Sequence, residues 1–280
     1  MEAIVKRLFG LLAMMAVVAG AEPLRVMTFN VRYPAKSDGE NVWENRKDLL
    51  VAAVRAAGPD LIGTQELFHL QGEYLAAQAP EYKWFGVSRR GNQEDEYSAI
   101  FYKPSRLKLV ESGNFWLSET PEKPGSVSWE MSLPRMVTWG LFETRDAAKR
   151  RFYFYNTHLA HRQQDTEARK KSVELILSRI AKLPGNVPVI LTGDFNAPAT
   201  TELHGVVEAA GLKDAWTNAP VRLGGENTFH GFTGKAERPR RIDWIFTREM
   251  RSLMAETMEQ HSPEGKYPSD HFPILAVLDF

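Results

Sequence analysis

The sequence of 280 residues contains no cysteine, which excludes disulfide bonds, thiolate nucleophiles and thiolate zinc sites. Any bound metal ion must therefore be held by oxygen and imidazole ligands. The sequence also lacks an excess of charge of either sign, since 35 lysines and arginines face 35 aspartates and glutamates. A protein that binds nucleic acid mainly through its phosphates usually has a basic surplus, so long, sequence-independent binding of that kind is disfavoured.

Apolar runs long enough to cross a membrane are missing as well. The N-terminal run from Leu8 to Val18 follows two basic residues and precedes three small ones, a pattern typical of a secretory signal peptide. We predict a signal peptide over residues 1–21 and one domain over residues 22–280. The mature chain is then secreted or periplasmic and has no transmembrane segment; an uncleaved anchor is the alternative. No feature of the sequence indicates an obligate protein partner.

Composition and periodicity predict the fold class. With 43% hydrophobic and 25% charged residues, the chain is neither disordered, collagen-like nor a coiled coil. The predicted strands are 24–30, 61–66, 96–102, 137–143, 152–159, 188–193, 242–246 and 274–278. The predicted helices are 46–57 and one that Asp165 caps. This mixture favours an α/β fold with two packed sheets, and we expect surface loops at 86–95 and 118–134.

Polar residues stand at the ends of several apolar strands. They are Asn30, Glu66, His158, Asp194, Asn196, Asp243, Asp270 and His271. Each has a structural explanation when taken singly; for example, Glu66 could pair with Arg46, and Asp243 with Arg241. Buried carboxylates are costly unless they are paired or bound to a cation, and ligands commonly bind at strand ends of α/β sheets. One shared site explains all of these residues together.

In this order the motifs resemble the endonuclease/exonuclease/phosphatase superfamily, whose members include deoxyribonuclease I. The motifs are Gln65-Glu66, Asn156-Thr-His158, Gly193-Asp-Phe-Asn196, Arg241-Ile-Asp243 and Ser269-Asp-His271. Further stretches at 115–121, 156–161 and 228–232 are similar to an exported bacterial branch. The resemblance implies a four-layer α/β sandwich in which two packed mixed β-sheets are flanked by helices.

The resemblance also implies a metal site. Glu66 is expected to be the principal Mg²⁺ ligand, helped by Asn30 and Asp270, and Mn²⁺ is an alternative ion. Such hard cations prefer oxygen ligands and keep several waters, so one or two protein carboxylates suffice.

The same resemblance assigns catalytic roles. Asp194 is expected to position or deprotonate the attacking water, and Asn196 to orient that water or a phosphate oxygen. His271, oriented by Asp243, is expected to contact the phosphate, and His158 to stabilise charge on its opposite side. Phosphoryl transfer needs positioning and charge neutralisation of this kind more than covalent catalysis.

Residues outside the motifs carry weaker expectations. Arg135 and His161 are candidates for substrate binding, although Arg135 could equally form a surface ion pair. His230 is expected to be structural or substrate-facing, not a metal ligand. Arg89 and Arg90 are expected to lie on a solvated loop.

The sequence therefore predicts a secreted Mg²⁺-dependent phosphoesterase that hydrolyses a phosphodiester or a phosphomonoester. Its substrate would be a phosphorylated small molecule, a lipid headgroup or a nucleic acid. The alternatives are an extracellular nuclease acting on DNA or RNA, and a non-catalytic module of the same fold that binds a phosphate ligand. A glycoside hydrolase needs only two carboxylates, such as Glu66 and Asp194, and leaves both histidines without a role.

Overall fold

A computed structural model describes residues 22–235 and 240–280. The predicted signal peptide over residues 1–21 lies outside the described residues. The strands are β1 (Leu24–Asn30), β2 (Leu61–Gln65), β3 (Lys83–Phe85), β4 (Ile100–Tyr102), β5 (Leu107–Trp116), β6 (Met136–Thr144), β7 (Arg151–His158), β8 (Val189–Asp194), β9 (Lys213–Asp214), β10 (Val221–Leu223), β11 (Asp243–Arg248), β12 (Arg251–Thr257) and β13 (Ile274–Asp279). The α-helices are α1 (Trp43–Ala57), α2 (His69–Gln78), α3 (Thr166–Ile180) and α4 (Glu202–Ala209).

These strands form two mixed sheets. One sheet has seven strands in the order β10-β12-β13-β1-β2-β4-β3, and the other has six in the order β5-β6-β7-β8-β11-β9. Strands β1 and β2 are parallel, as are β7 and β8, whereas β8 and β11 are antiparallel. The two packed mixed sheets flanked by helices confirm the predicted fold.

Three apolar layers hold the sheets and helices together. The middle layer lies between the sheets and includes Val26, Leu61, Phe152, Phe154 and Ile245. One outer layer packs α1 and α2 on the first sheet, and the other packs α3 and α4 on the second. Burial of this apolar area is the main force that fixes the strand ends relative to one another. Among the described residues, no helix is long and apolar enough to span a membrane.

A polar contact crosses the middle layer directly beneath the strand ends. The Oδ1 atom of Asn156 in β7 accepts hydrogen bonds from Gln65 Nε2 at 2.7 Å and from Thr192 Oγ1 at 3.1 Å. These atoms approach the backbone of Gly63 so closely that a Cβ atom there would lie 2.3 Å from Thr192 Oγ1. The two sheets are therefore joined by hydrogen bonds at this point and not only by apolar contact.

Several predicted boundaries were wrong. Helix α1 begins at Trp43 and not at residue 46, and β4 begins at Ile100 because residues 96–99 follow an irregular path. Asp165 precedes α3, but its carboxylate accepts from Arg162 instead of capping the helix. Strands β3, β5, β9, β10 and β12 and helices α2 and α4 were missed.

Candidate active site

The polar strand ends of both sheets meet at one edge of the sandwich. In the second sheet, Asp194 pairs in register with His158 on one side and with Asp243 on the other. In the first sheet, Asn30 pairs with Gln65, the residue before Glu66. Between the two sets of strand ends lies a cleft of about 640 Å³.

This cleft brings together the residues that the sequence predicts to form the active site. Eight of them line it: Glu66, Arg135, His158, His161, Asp194, Asn196, Asp270 and His271. The remaining two, Asn30 and Asp243, lie directly behind this wall and hydrogen bond to members of it. The prediction of a single shared site agrees with this geometry.

Three non-glycine residues at the cleft have left-handed backbone conformations. Arg32, Glu66 and Asn196 have φ angles of 55°, 58° and 51°. Such angles cost energy for residues other than glycine, although asparagine tolerates them best. The fold therefore holds these three side chains at the cleft in conformations that an isolated chain would rarely adopt.

Asn30 links the two carboxylates nearest to it. Its Nδ2 donates to Glu66 Oε1 at 3.2 Å and to Asp194 Oδ2 at 3.0 Å, while its Oδ1 accepts from the Arg32 N–H at 3.0 Å. The amide nitrogen, not the oxygen, thus faces the carboxylates. Asn30 positions them in this geometry, and its role as a metal ligand stays a prediction.

The donor set beside Asn30 fits a hard divalent cation. Glu66 and Asp270 both approach the Arg32 guanidinium, whose Nη1 lies 4.0 Å from Glu66 Oε2 and 3.8 Å from Asp270 Oδ2. Burial raises the pKa of Asp270, and the neighbouring charge of Glu66 raises it further. Two carboxylates that repel each other across a cleft open to water are suitable ligands for Mg²⁺ or Mn²⁺.

Asp194 belongs to a second cluster of ionisable side chains. One ligand atom each from Asp194, Asp243 and His271 lies within 4.8 Å of the others. Because His271 Nδ1 already hydrogen bonds to Asp243 Oδ2 at 2.9 Å, this group is better described as a hydrogen-bonded charge network than as a metal cage.

Asp194 has the geometry of a general base. Its Oδ1 accepts from the Asn196 N–H at 2.9 Å, and its Oδ2 lies 3.5 Å from His158 Nε2 and 3.9 Å from His271 Nε2. Burial, with the charge of Asp243, raises the pKa of Asp194 to about 7. A carboxyl group with a pKa near neutrality is suited to take a proton from water.

The two histidines of the cleft differ in charge. Burial lowers the pKa of His271, but the charge and hydrogen bond of Asp243 outweigh burial and raise it to about 10. Burial also lowers the pKa of His158, and there the charges of Arg135 and Arg89 lower it further, to well below its usual value. His271 is therefore an imidazolium at neutral pH, whereas His158 is neutral.

Sequence reasoning placed Arg89 wrongly. Its side chain is only 11% exposed, lines the cleft and pairs with Asp95 and Glu96, at 2.9 Å in both cases. Glu96, which was not nominated, also lies 3.9 Å from His158 Nδ1, and burial with the charge of Glu66 raises its pKa to about 6. The pattern of the loop gave no sign that its charged residues turn inward. Arg90 is 54% exposed, as expected.

Arg135 is not a surface ion pair. It is 4% exposed, and its Nη2 lies 3.1 Å from His161 Nδ1. Its Nη1 is 4.0 Å from Glu96 Oε2 on the cleft wall. Arg135 and His161 thus both line the cleft, and their role in contacting substrate stays a prediction.

The structural alternatives for the acidic residues do not hold. Arg46 donates to backbone carbonyl groups and forms no hydrogen bond with Glu66. Arg241 pairs with Asp214 at 2.6 Å, so the carboxylate of Asp243 pairs with His271 instead.

His230 stacks on Phe272 with ring centroids 3.9 Å apart.

Known proteins share this fold. The structure superposes with a TM-score of 0.86 on an endonuclease/exonuclease/phosphatase from Bacteroides vulgatus, at 33% identity over 93% of this chain and 100% of that one. A mannosyl-6-phosphatase from Bacteroides thetaiotaomicron also gives a TM-score of 0.86, at 33% identity over 92% of this chain and 100% of that one. Human nocturnin is 24% identical over 292 residues, which cover 92% of this chain but 65% of nocturnin, less than two thirds of its length.

The family assignment follows from a match to the family as a whole over most of the chain. The sequence profile of the Endonuclease/Exonuclease/phosphatase family matches residues 27–271, which include Glu66, Asp194 and His271. Members of this family are metal-dependent hydrolases of phosphoric esters, so the predicted enzyme class is confirmed at the level of the family. The chain belongs to the endonuclease/exonuclease/phosphatase family.

Proposed function

We propose that this protein is a Mg²⁺-dependent phosphomonoesterase that acts on a small phosphorylated carbohydrate, with Mn²⁺ as an alternative ion. The observation that carries the proposal is the single cleft in which Glu66 and Asp270 face Asp194, His158 and His271. The mannosyl-6-phosphatase relative, at 33% identity across its whole length, supports a sugar phosphate as the substrate class.

The residues of the cleft divide the reaction among them. Asp194 takes a proton from the attacking water, whose oxygen forms a bond to phosphorus as the bond between phosphorus and the ester oxygen breaks in line with it. The ester oxygen leaves as an alcohol with a proton from solvent, and Asp194 returns its proton to solvent. Asn196 orients that water. His271, held charged by Asp243, and neutral His158 donate hydrogen bonds to the phosphoryl oxygens as their charge grows. A divalent ion held by Glu66 and Asp270 supplies further neutralisation of that charge when it is bound.

A substrate panel tests the proposal. Purified protein is incubated with hexose 6-phosphates, bis-nitrophenyl phosphate, plasmid DNA, RNA, sphingomyelin and inositol phosphates, with Mg²⁺ and with EDTA. We expect a hexose phosphate to be hydrolysed with the highest kcat/KM and EDTA to abolish turnover. Asp194→Asn should lower kcat by roughly 10²- to 10⁴-fold without unfolding the protein.

Other results of this panel point elsewhere. A higher kcat/KM for DNA or RNA would identify an extracellular nuclease. Binding of phosphorylated ligands without turnover would identify a binding module. Turnover of these phosphate esters that EDTA leaves intact would remove the metal from the mechanism.

We further propose that residues 1–21 direct export and are then removed. Support comes from the sequence alone, in which a basic start, an apolar run and small residues follow one another. Mass spectrometry of the protein from cell fractions tests this. We expect a periplasmic or extracellular chain that begins at Glu22, and an intact N-terminus in the cytosol would contradict it.

A further inference from the structure

A second cavity adjoins the catalytic cleft. It has a volume of about 570 Å³ and lies between the N-terminal parts of α3 and α4. His161, Asn196 and Arg240 line both cavities, so they form a shared boundary. A ligand whose phosphate lies in the cleft can therefore continue into this second space, which we call the side cavity.

Two of the three cationic side chains that line the side cavity, Arg169 and Lys170, already have partners within the protein. Arg169 is buried, and its Nη1 donates to the carbonyl oxygens of Ala160 at 2.8 Å and Arg162 at 2.9 Å. The Nζ of Lys170 lies 4.0 Å from the carboxylate of Glu202 across the cavity. At Arg169 and Lys170 a second anionic group would have to compete with these partners. The third cation, Arg240, also lines the catalytic cleft and can face the phosphate there, so the rest of the wall favours an uncharged part of the ligand.

The remaining wall is half apolar and half polar. Pro198, Leu203 and Val206 provide an apolar surface, while Gln163 and Thr201 provide amide and hydroxyl groups. Binding pockets of this kind place apolar surface against the body of a ligand and use a few polar groups to orient it. Sugar rings match this wall because they have a carbon–hydrogen face and a rim of hydroxyl groups.

We infer that the side cavity binds a glycosyl residue attached to the phosphorylated sugar, so that the preferred substrate is a phosphorylated oligosaccharide and not a free hexose phosphate. This inference rests on the proposed function and names the part of the substrate that lies beyond the phosphorylated ring. The phosphate occupies the cleft, and the attached sugar passes the boundary formed by His161, Asn196 and Arg240.

Matched tryptophan substitutions on α4 test the inference. Val206→Trp places a large ring in the side cavity, whereas Gly205→Trp on the same helix points into open space, since no atom lies within 4 Å of an added Cβ atom there. The kcat/KM of each protein is measured for a hexose 6-phosphate and for a disaccharide and a trisaccharide that carry the same phosphate on one terminal ring.

We expect the wild type to prefer the oligosaccharides by about tenfold or more. In Val206→Trp the ratio of kcat/KM for the oligosaccharide phosphates to that for the hexose phosphate should fall close to one, whereas Gly205→Trp should retain the wild-type ratio. Gln163→Ala, at an exposed position that does not threaten folding, should raise the KM of the oligosaccharides several-fold more than that of the hexose phosphate. Circular dichroism and Tm verify that the tryptophan variants fold.

Two outcomes overturn the inference while leaving the proposed function intact. One is equal kcat/KM for the hexose and oligosaccharide phosphates in the wild type; the other is a preference that neither Val206→Trp nor Gln163→Ala reduces. If none of these phosphates is hydrolysed, the proposed function fails, and titration calorimetry with the unphosphorylated trisaccharide decides the side cavity separately. Binding by wild type that Val206→Trp abolishes supports the cavity, and absence of binding overturns it.

Discussion

Burial and charge act in opposite directions on the imidazole of His271, and in the same direction on that of His158. The Asp243 carboxylate contacts only His271, whereas the cationic side chains of Arg89 and Arg135 lie near His158. Two buried histidines a few ångströms from Asp194 are therefore held in different charge states. In the proposed reaction His271 donates a hydrogen bond as a cation and His158 donates one as a neutral group. This difference suits a phosphoryl group whose charge grows unevenly during the reaction.

Asp243→Asn should remove the charge that keeps His271 protonated. Burial is then opposed only by the smaller effects of the Asp194 and Asp270 charges, so the pKa of His271 falls from about 10. Because its pKa is raised, His271 stabilises the folded protein at pH values below the usual pKa of histidine, and this stabilisation is lost as the pH rises towards about 10. In Asp243→Asn the free energy of unfolding should not show this decrease. We expect kcat to fall by about 10²-fold or more at neutral pH, with the alkaline limb of the pH profile displaced to lower pH.

The pH dependence of kcat/KM, compared with that of Asp279→Asn, checks this prediction. Asp279 lies at the end of β13 away from His271 and pairs with the exposed Arg251, so its loss should leave the profile unchanged. An alkaline limb in Asp243→Asn that coincides with the wild-type limb would mean that His271 does not act as a cation.

Arg32 lies where it competes with a bound cation. Asp38 holds one edge of the guanidinium through hydrogen bonds of 3.0 and 2.7 Å, and the remaining Nη1 faces Glu66 and Asp270. Since like charges at such distances repel, Arg32→Gln should tighten Mg²⁺ binding by about tenfold. Titration calorimetry with Mg²⁺ alone measures this, with the exposed Arg151→Gln as the control. Weaker binding in Arg32→Gln would show instead that Arg32 serves to hold the two carboxylates in place.

At the scale of helices and strands, prediction succeeded where an apolar run ends in a polar residue. Strands β1, β2 and β8 are almost entirely buried, so no polar face interrupts the apolar run by which each strand is recognised. Strand β5 was missed because it is an edge strand with charged, exposed residues in its middle. Helix α2 buries only three residues, too few for a clear helical period.

The active-site residues likewise divide into those that could be predicted from buried strands and those that could not. Glu66, Asp194 and His271 follow or precede buried strands, and their convergence could be inferred from the strand ends alone. Arg89 and Glu96 reach the cleft from a loop, and the inward turn of a loop depends on tertiary contacts that no local pattern encodes. The orientation of the Asn30 amide likewise depends on the Arg32 N–H, which only the fold brings close.

The hydrogen bonds between the sheets should make a measurable contribution to stability. Besides its two acceptor contacts, Asn156 donates to Thr64 O at 2.8 Å and to Ala99 O at 3.0 Å, all within the buried core. Asn156→Ala leaves these groups without their partners, so we expect the free energy of unfolding to fall by about 3 kcal/mol. Urea unfolding measures the loss.

The exposed Asn218→Ala is the matched control, because it also removes one bond to a backbone carbonyl group, here that of Asp214. It should cost less than about 1 kcal/mol. Equal losses for Asn156→Ala and Asn218→Ala would mean that the two sheets are held together by apolar packing alone.

At the scale of the whole molecule, a chain of zero net charge places several largely buried carboxylates around one cleft. Burial is the first cause that raises the pKa of Asp194 to about 7, that of Glu96 to about 6 and that of Asp270 above its usual value. The folded chain then holds these protons more tightly than the unfolded chain, so their contribution to stability falls as the pH rises from about 4 to about 7. A bound divalent cation would offset this cost.

A divalent ion should therefore stabilise the protein more at higher pH. Once Asp270 and its neighbours are ionised, a cation relieves their repulsion, whereas at lower pH it must first displace protons. Thermal unfolding with and without millimolar Mg²⁺, at about pH 5.5 and about pH 8, measures the difference. We expect Tm to rise by several degrees more at the higher pH, and potassium chloride at the same ionic strength to have no such effect. In Glu66→Gln the gain at higher pH should shrink, and an equal rise in Tm at both pH values would mean that the ion binds away from these carboxylates.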